Sequence, residues 1–261
     1  MSEPASTPFR YGDEARQVAD LYLPEVVGDG PVPMVVLIHG GFWRPTYDRS
    51  LMRPLALDLT RRGFGAWNVD YRASGDGGGG WPRTFEDVAA AVDLLREAAA
   101  DHPIDLDRVV TVGHSAGGTL ALWAAARPGL PADAPGHDPS VTVCAAVSLA
   151  GVNNLVAGYF EGLGSGAVEA LMGAGPNEDR SRYALASPED RLPIGVRQLI
   201  VHGSDDDVVP PEQSTKYAAK ATESGDRVEL LVVDGADHFD VIDPGHVAWV
   251  QVADRLPDLC R

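Results

Sequence analysis

Val109-Val110-Thr111-Val112-Gly113-His114-Ser115-Ala116-Gly117-Gly118 decides how this chain is read. Val109 to Val112 is a short apolar run of the kind that forms a strand buried on both faces. Gly113 to Gly117 then spells G-x-S-x-G, and the Ala- and Leu-rich run Ala116 to Ala126 reads as a helix stopped by Pro128. The three-letter pattern is common by itself; the strand before it and the helix after it make it informative. A serine on so sharp a turn needs small neighbours, because its backbone is strained and its side chain must project clear. Gly113, Gly117 and Gly118 supply that room. The helix that starts here aims its first amides, that of Ala116 among them, at the space beside the hydroxyl. Ser115 is therefore the candidate nucleophile.

Working outward, short apolar runs alternate with longer amphipathic ones, which argues for a parallel sheet with helices on both faces. Val18 to Leu23 predicts an early edge strand stopped by Pro24, followed by a turn at Gly28 to Pro33. Met34 to Ile38 predicts a buried strand, Leu51 to Arg61 a helix and Gly65 to Val69 a strand. The loop at 77–80 is glycine-only and too short to be a linker. Thr84 reads as the cap of a helix reaching about Ala99, with Asp87 as an acidic first-turn residue. Val141 to Leu149, Gln198 to Val201 and Val228 to Val233 complete the strands. Pro211 to Ser224 and His246 to Arg255 read as helices. The stretch 151–193 is irregular and glycine-rich with short helical patches, and is expected to be a small cap insertion. The expectation is a single α/β domain over 1–261, with a mostly parallel sheet of about eight strands flanked by helices.

Composition bounds the function. Of 261 residues, 44% are apolar, enough to bury a core. Asp and Glu outnumber Lys and Arg by 38 to 21, giving a net charge of −17 that argues against a nucleic-acid partner. No run approaches the roughly 18 apolar residues of a membrane span, and Met1 to Phe9 is polar, without an apolar leader core. These features predict a cytoplasmic soluble protein. Cys144 lies in an apolar run and reads as a core residue, and Cys260 sits near the end. The two are expected neither as a disulfide framework nor as metal ligands. Nothing in the sequence speaks to oligomeric state.

A serine hydroxyl is a weak nucleophile near neutral pH, so a histidine must take its proton and a carboxylate must orient that histidine. After Ser115 come His137, in a proline-rich loop; His202, at a strand end; His238, after the last strand; and His246, in a helix. The carboxylate is open on chemistry alone, because Asp205, Asp206 and Asp207 stand in a row. Asp237 and Asp240 read as supporting or surface residues. His39-Gly40-Gly41-Phe42-Trp43 directly follows the strand Met34 to Ile38, and its glycines let the backbone come close to a bound molecule. His39 reads as a brace of this loop in preference to a second base. A metal site would need ligand spacing that 202–207 lacks, so no metal is expected.

The HGGFW loop, the GHSAGG elbow, the HGSDDDVVP turn and the GADHF turn occur in order, each after a strand. Together they resemble the α/β-hydrolase superfamily across nearly the whole chain. The HGGFW loop and Asp20-Leu21-Tyr22-Leu23-Pro24 are similar to the branch holding small carboxylesterases, feruloyl-esterase-like proteins and kynurenine formamidases. The resemblance implies the α/β-hydrolase fold and a serine, acid, histidine chain order, with His238 as base. It implies Asp206 as acid, four residues before Pro210, with Asp205 next and Asp207 third. The oxyanion donors would be the N–H groups of Ala116 and Phe42, with Gly41 as the alternative to Phe42. The resemblance implies no metal and no organic cofactor. The implied substrate is a small-molecule ester or amide, with arylformamidase activity as the alternative to a carboxylesterase. A catalytically silent binding protein on the same scaffold is the rival from another class. Trp43, Trp81, Tyr159 and Phe160 are expected around the pocket, since loops at the carboxyl ends of the strands surround such sites. The chain departs from dienelactone hydrolases, whose nucleophile is cysteine.

Overall fold

The structure is a computed structural model describing residues 6–25 and 30–261. Eight strands form one sheet: β1 (Thr7–Arg10), β2 (Val18–Tyr22), β3 (Val32–Ile38), β4 (Gly65–Val69), β5 (Ile104–His114), β6 (Ala145–Leu149), β7 (Arg197–Gly203) and β8 (Val228–Val233), in the spatial order β1-β2-β4-β3-β5-β6-β7-β8. β1 and β2 run antiparallel to their neighbours, and every pairing from β4 to β8 is parallel. The helices are α1 (Arg53–Arg61), α2 (Arg83–Asp93), α3 (Leu95–Ala98), α4 (Ala116–Ala126), α5 (Leu155–Phe160), α6 (Leu163–Met172), α7 (Arg180–Ala186), α8 (Glu212–Glu223) and α9 (Val247–Leu259).

The pleat of β3 explains the two-sided core. Met34, Val36 and Ile38 point into a cluster shared with α2, α4, α5 to α7 and α8, while Val35 and Leu37 point to the opposite face, covered by α1 and α9. Burying each large apolar side chain stabilises by roughly 1.5–3 kcal/mol, so the sheet needs helices on both faces. All eleven residues of α4 are buried, which places the helix behind Ser115 in the middle of the molecule.

Several sequence expectations change. Val18 to Leu23 is not the edge of the sheet, because β1 pairs outside β2. Thr7–Arg10 is short, largely exposed and contains Pro8, so it carries no alternating apolar signal. The expected turn at 28–33 lies partly outside the described residues, and its Val32 and Pro33 belong to β3. Thr84 does not cap α2. Its hydroxyl accepts from Gly80 N–H at 2.9 Å and donates to the Arg72 carbonyl at 2.6 Å. Asp87 is buried in an ion pair with Arg72 instead of facing water. The predicted strand from Val141 begins only at Ala145, because Val141 and Val143 turn into the helix-side core.

The two cysteines are joined as a disulfide, which corrects the expectation of separate thiols. Cys144 precedes β6 and Cys260 follows α9, and their Cα atoms stand 5.4 Å apart across 116 residues of chain. No local spacing announces the pair; α9 returning under the sheet creates it. A cross-link closing so long a loop restricts the unfolded chain, by about 5 kcal/mol in the chain-entropy view. Reduction, or Cys144→Ser, is expected to lower the melting temperature by about 5–15 °C, read by calorimetry with and without reductant. An unchanged melting temperature would show that the bridge constrains nothing.

Candidate active site

The parallel strands end on one side of the sheet, and the connections leaving β3, β5, β7 and β8 there carry the four motifs. Ser115 follows β5 with φ 53° and ψ −118°, a conformation an L-residue adopts at a cost of order 1–3 kcal/mol. The surrounding packing holds it there. Its N–H donates to Leu149 at 2.8 Å, and its carbonyl accepts from Gly118 N–H at 2.9 Å. A Cβ on Gly113 would lie 1.9 Å from the Gly117 carbonyl oxygen, and one on Gly117 would lie 2.1 Å from that of Ile38, so the close approach of β3, β5 and α4 requires both glycines.

The loop after β3 is also left-handed, at Gly41 (φ 112°), Phe42 (φ 53°) and Trp43 (φ 56°). The Trp43 carbonyl accepts from Ser74 N–H at 2.7 Å, and its indole N–H donates to the Ala116 carbonyl at 3.1 Å. This ties the loop to the first turn of α4. Among the described residues, no backbone acceptor takes the amide of Phe42 or of Ala116. His39 braces the loop as expected: Nδ1 faces the Gly40 carbonyl at 2.7 Å, Nε2 faces Asp70 at 3.1 Å, and the ring stacks on Tyr71 with centroids 4.3 Å apart.

The aspartates of the 205–207 run differ sharply in setting. Asp205 and Asp207 are exposed, and only Asp206 is buried. Its Oδ1 accepts the N–H groups of Val208 and Val209, each at 2.9 Å. Its Oδ2 accepts His238 Nδ1–H at 2.7 Å and lies 3.1 Å from His202 Nε2. Burial pushes this carboxyl up, but the hydrogen bonds from His202, His238 and Val209 outweigh it and hold Asp206 well below the usual carboxylate range. The arrangement leaves Nε2 of His238 as the ring nitrogen available to a hydroxyl.

His114, the variable residue of the elbow, joins the serine turn to the histidine turn. Its Nε2 faces the His238 carbonyl at 2.8 Å. A carbonyl only accepts, so Nε2 carries the proton, and the buried Nδ1 has no partner among the described residues. Burial, and then the neighbouring His238 ring, pull His114 down to about 3, so it is neutral near pH 7. The two rings lie 4.7 Å apart. Sequence reasoning missed this residue and the contact of His202 with Asp206. Both sit inside recognised motifs, but their roles depend on what faces them.

The expected pocket residues separate. Trp43 is wholly buried and supports the elbow from beneath, so it lines no pocket. Phe160 is 63% exposed and Tyr159 half-buried beside it, ring centroids 5.3 Å apart. Trp81 is half-buried against Phe85 and donates its backbone N–H to the Leu171 carbonyl of α6. The 151–193 segment also reaches the loop after β3: the Phe42 ring packs on Gly164, and Arg44 donates to the Gly164 and Ser165 carbonyls. Among the described residues, no group of three or more His, Cys, Asp or Glu could hold a metal ion. A surface depression of about 450 Å³ lies by the disulfide between Arg197, Arg227 and Arg261, at the amino ends of the strands and away from Ser115.

Known proteins share this architecture. A truncated carbohydrate esterase from gut microbiota superposes with a TM-score of 0.84 at 21% identity, covering 100% of this chain and 98% of that one. A butyrate-bound esterase, Est2 of Thermogutta terrifontis, superposes at 0.77 with 24% identity, covering 98% and 93%. These likenesses establish the α/β-hydrolase fold. In sequence, the chain is 28% identical to esterase LipC of Mycobacterium tuberculosis over 89% of its length and 59% of the relative's. It is 29% identical to kynurenine formamidase avaC of Aspergillus versicolor over 70% of its length and 74% of the relative's. The chain spans a little over half the length of the first curated relatives it matches. Residues 19–221 match the BD-FAE family model, and the chain belongs to that family.

Proposed function

We propose that this protein is a serine hydrolase acting on a small-molecule carboxylic ester through a covalent acyl-enzyme. The observation that carries the reading is the 2.7 Å hydrogen bond from His238 Nδ1 to a carboxylate held ionised. That contact fixes the tautomer whose Nε2 can take the Ser115 proton. Ser115 Oγ attacks the carbonyl carbon as its proton passes to His238 Nε2. The oxyanion is held by the N–H groups of Ala116 and Phe42, with Gly41 as the alternative to Phe42. His238 then protonates the leaving alcohol, the acyl group stays on Ser115, and a water activated by His238 releases it as a carboxylic acid. Asp206 stays ionised throughout and stabilises the imidazolium. Residues 151–193 act as the cap, with Trp81, Tyr159 and Phe160 as candidate walls.

The likeness to a kynurenine formamidase supports a second reading, cleavage of an N-formyl aryl amide by the same steps. No helix among the described residues is long and apolar enough to cross a membrane. As to compartment, the Cys144–Cys260 bridge weighs toward an oxidising one and against the cytoplasm expected from the sequence.

A fluorophosphonate probe should label the wild type and not Ser115→Ala. Turnover of short p-nitrophenyl esters well above that of N-formylkynurenine is expected for an esterase, and the reverse order for a formamidase. An unlabelled wild type would favour a silent binding protein.

A further inference from the structure

Asp206 is held by two imidazoles, and the reaction outlined above uses only one of them. His202, at the end of β7, is fully buried. Its Nε2 lies 2.9 Å from the Val209 carbonyl and 3.1 Å from Asp206 Oδ2, the same oxygen that accepts from His238. Both partners only accept, so Nε2 carries a proton and shares it between them. On the other side of the ring, Nδ1 stands 2.7 Å from Ser214 Oγ of α8, whose hydroxyl can donate to it. Asn153 Nδ2 in turn reaches Ser214 Oγ at 3.5 Å. A buried line of donors thus runs from α8 through His202 to the carboxylate, roughly mirroring the line from His238.

We propose that His202 is a positioning residue of the catalytic acid, which fixes Asp206 for His238 and sets the pH at which the site becomes active. The inference rests on the serine-hydrolase reading. The chemistry follows from sharing one oxygen. An N–H from His202 draws electron density from Oδ2, so the carboxylate attracts the proton of His238 less strongly than it would alone. It also occupies a lone pair that would otherwise be buried without a donor, and so removes any reason for the carboxylate to rotate away from His238. The His202 contact, like that of His238, helps hold Asp206 below the usual carboxylate range. The titratable groups facing the carboxylate among the described residues are His202, His238 and, from the end of β5, His114. On its own turn Asp205 and Asp207 face water, while α8 and the connection after β6 present Ser214 and Asn153, which carry no charge.

The sign of the effect is fixed. Without the His202 donor, Oδ2 becomes more basic and stabilises the His238 imidazolium more. His238 then loses its proton at higher pH, and the acid limb of kcat/KM moves up.

The test uses the full-length protein and a p-nitrophenyl ester. His202→Asn keeps a polar group near Nδ1 for Ser214 but has nothing to reach Asp206. It should lower kcat by about 10–100-fold with KM within about twofold, and move the acid limb up by about 0.5–1 pH unit. His202→Gln, whose amide N–H can reach the place of Nε2, should restore most of both. Ser214→Ala, which removes the hydroxyl at Nδ1 and so leaves Nε2–H a weaker donor, should move the limb the same way by less. It decides the matter if His202→Asn does not fold. A limb that stays at its wild-type position in the folded variants, with only the melting temperature lowered, overturns the proposal and leaves His202 a structural residue. A wild type that reacts with neither ester nor fluorophosphonate overturns the serine-hydrolase reading instead, so the two failures are distinct.

Discussion

Replacing His238 with alanine is expected to lower kcat by about 10⁴–10⁶ while changing KM little. On the proposed mechanism the loss is large because, among the described residues, the other two histidines of the site are poor substitutes as a base. His114 lies next to the serine, but its Nε2 is committed to the His238 carbonyl and burial keeps its ring neutral and weakly basic. His202 is committed to Val209 and Asp206. Ser115→Ala should cost about as much, and the double variant no more than either single one, because nucleophile and base act as one unit. Residual turnover would come from the oxyanion donors and binding. The measurement is steady-state kinetics on a p-nitrophenyl ester with fluorophosphonate labelling alongside. A His238→Ala enzyme within tenfold of the wild type would mean that another group is the base.

The second large effect is expected at the acid. Asp206→Asn should lower kcat by about 10⁴, because an amide can present N–H where His238 needs an acceptor and so favours the wrong tautomer. Asp205→Asn and Asp207→Asn should stay within about threefold of the wild type, since both side chains face water. Stability gives an independent readout. Asp206 is held below the ordinary carboxylate pKa in the folded chain. A depressed carboxylate stabilises the fold above its unfolded pKa, near 3.9, and that contribution is lost as pH falls through the folded value. The wild type should therefore hold an advantage over Asp206→Asn at neutral pH that narrows only below about pH 4, followed by denaturant midpoints across pH. Abolished turnover in Asp205→Asn with near-normal Asp206→Asn would reverse the assignment.

Much of this was legible one segment at a time. Gly65–Val69 and Ala116–Ala126 have the expected bounds, because a run buried on both faces and a helix closed by proline are local patterns, and Val228–Val233 has them as an apolar run at the largely exposed edge of the sheet. The elbow was legible because a strained serine between glycines leaves a short signature. β1 was not, since four exposed residues around a proline become a strand only by pairing with β2. The burial of Trp43 is not legible locally, because its indole is held by Ala116, which lies 73 residues further along the chain.

The order of elements, the parallel sheet, and the presence of one serine turn, one histidine turn and a run of three aspartates were determined by the sequence alone. They follow from hydrophobic period and from backbone conformations that few residues tolerate. Which aspartate is buried under two imidazoles, which histidine joins the elbow to the His238 turn, and whether Cys144 meets Cys260 were decided only by the tertiary structure. Desolvation, donor count and cross-linking depend on groups brought together from distant parts of the chain, and no local pattern records which groups will meet.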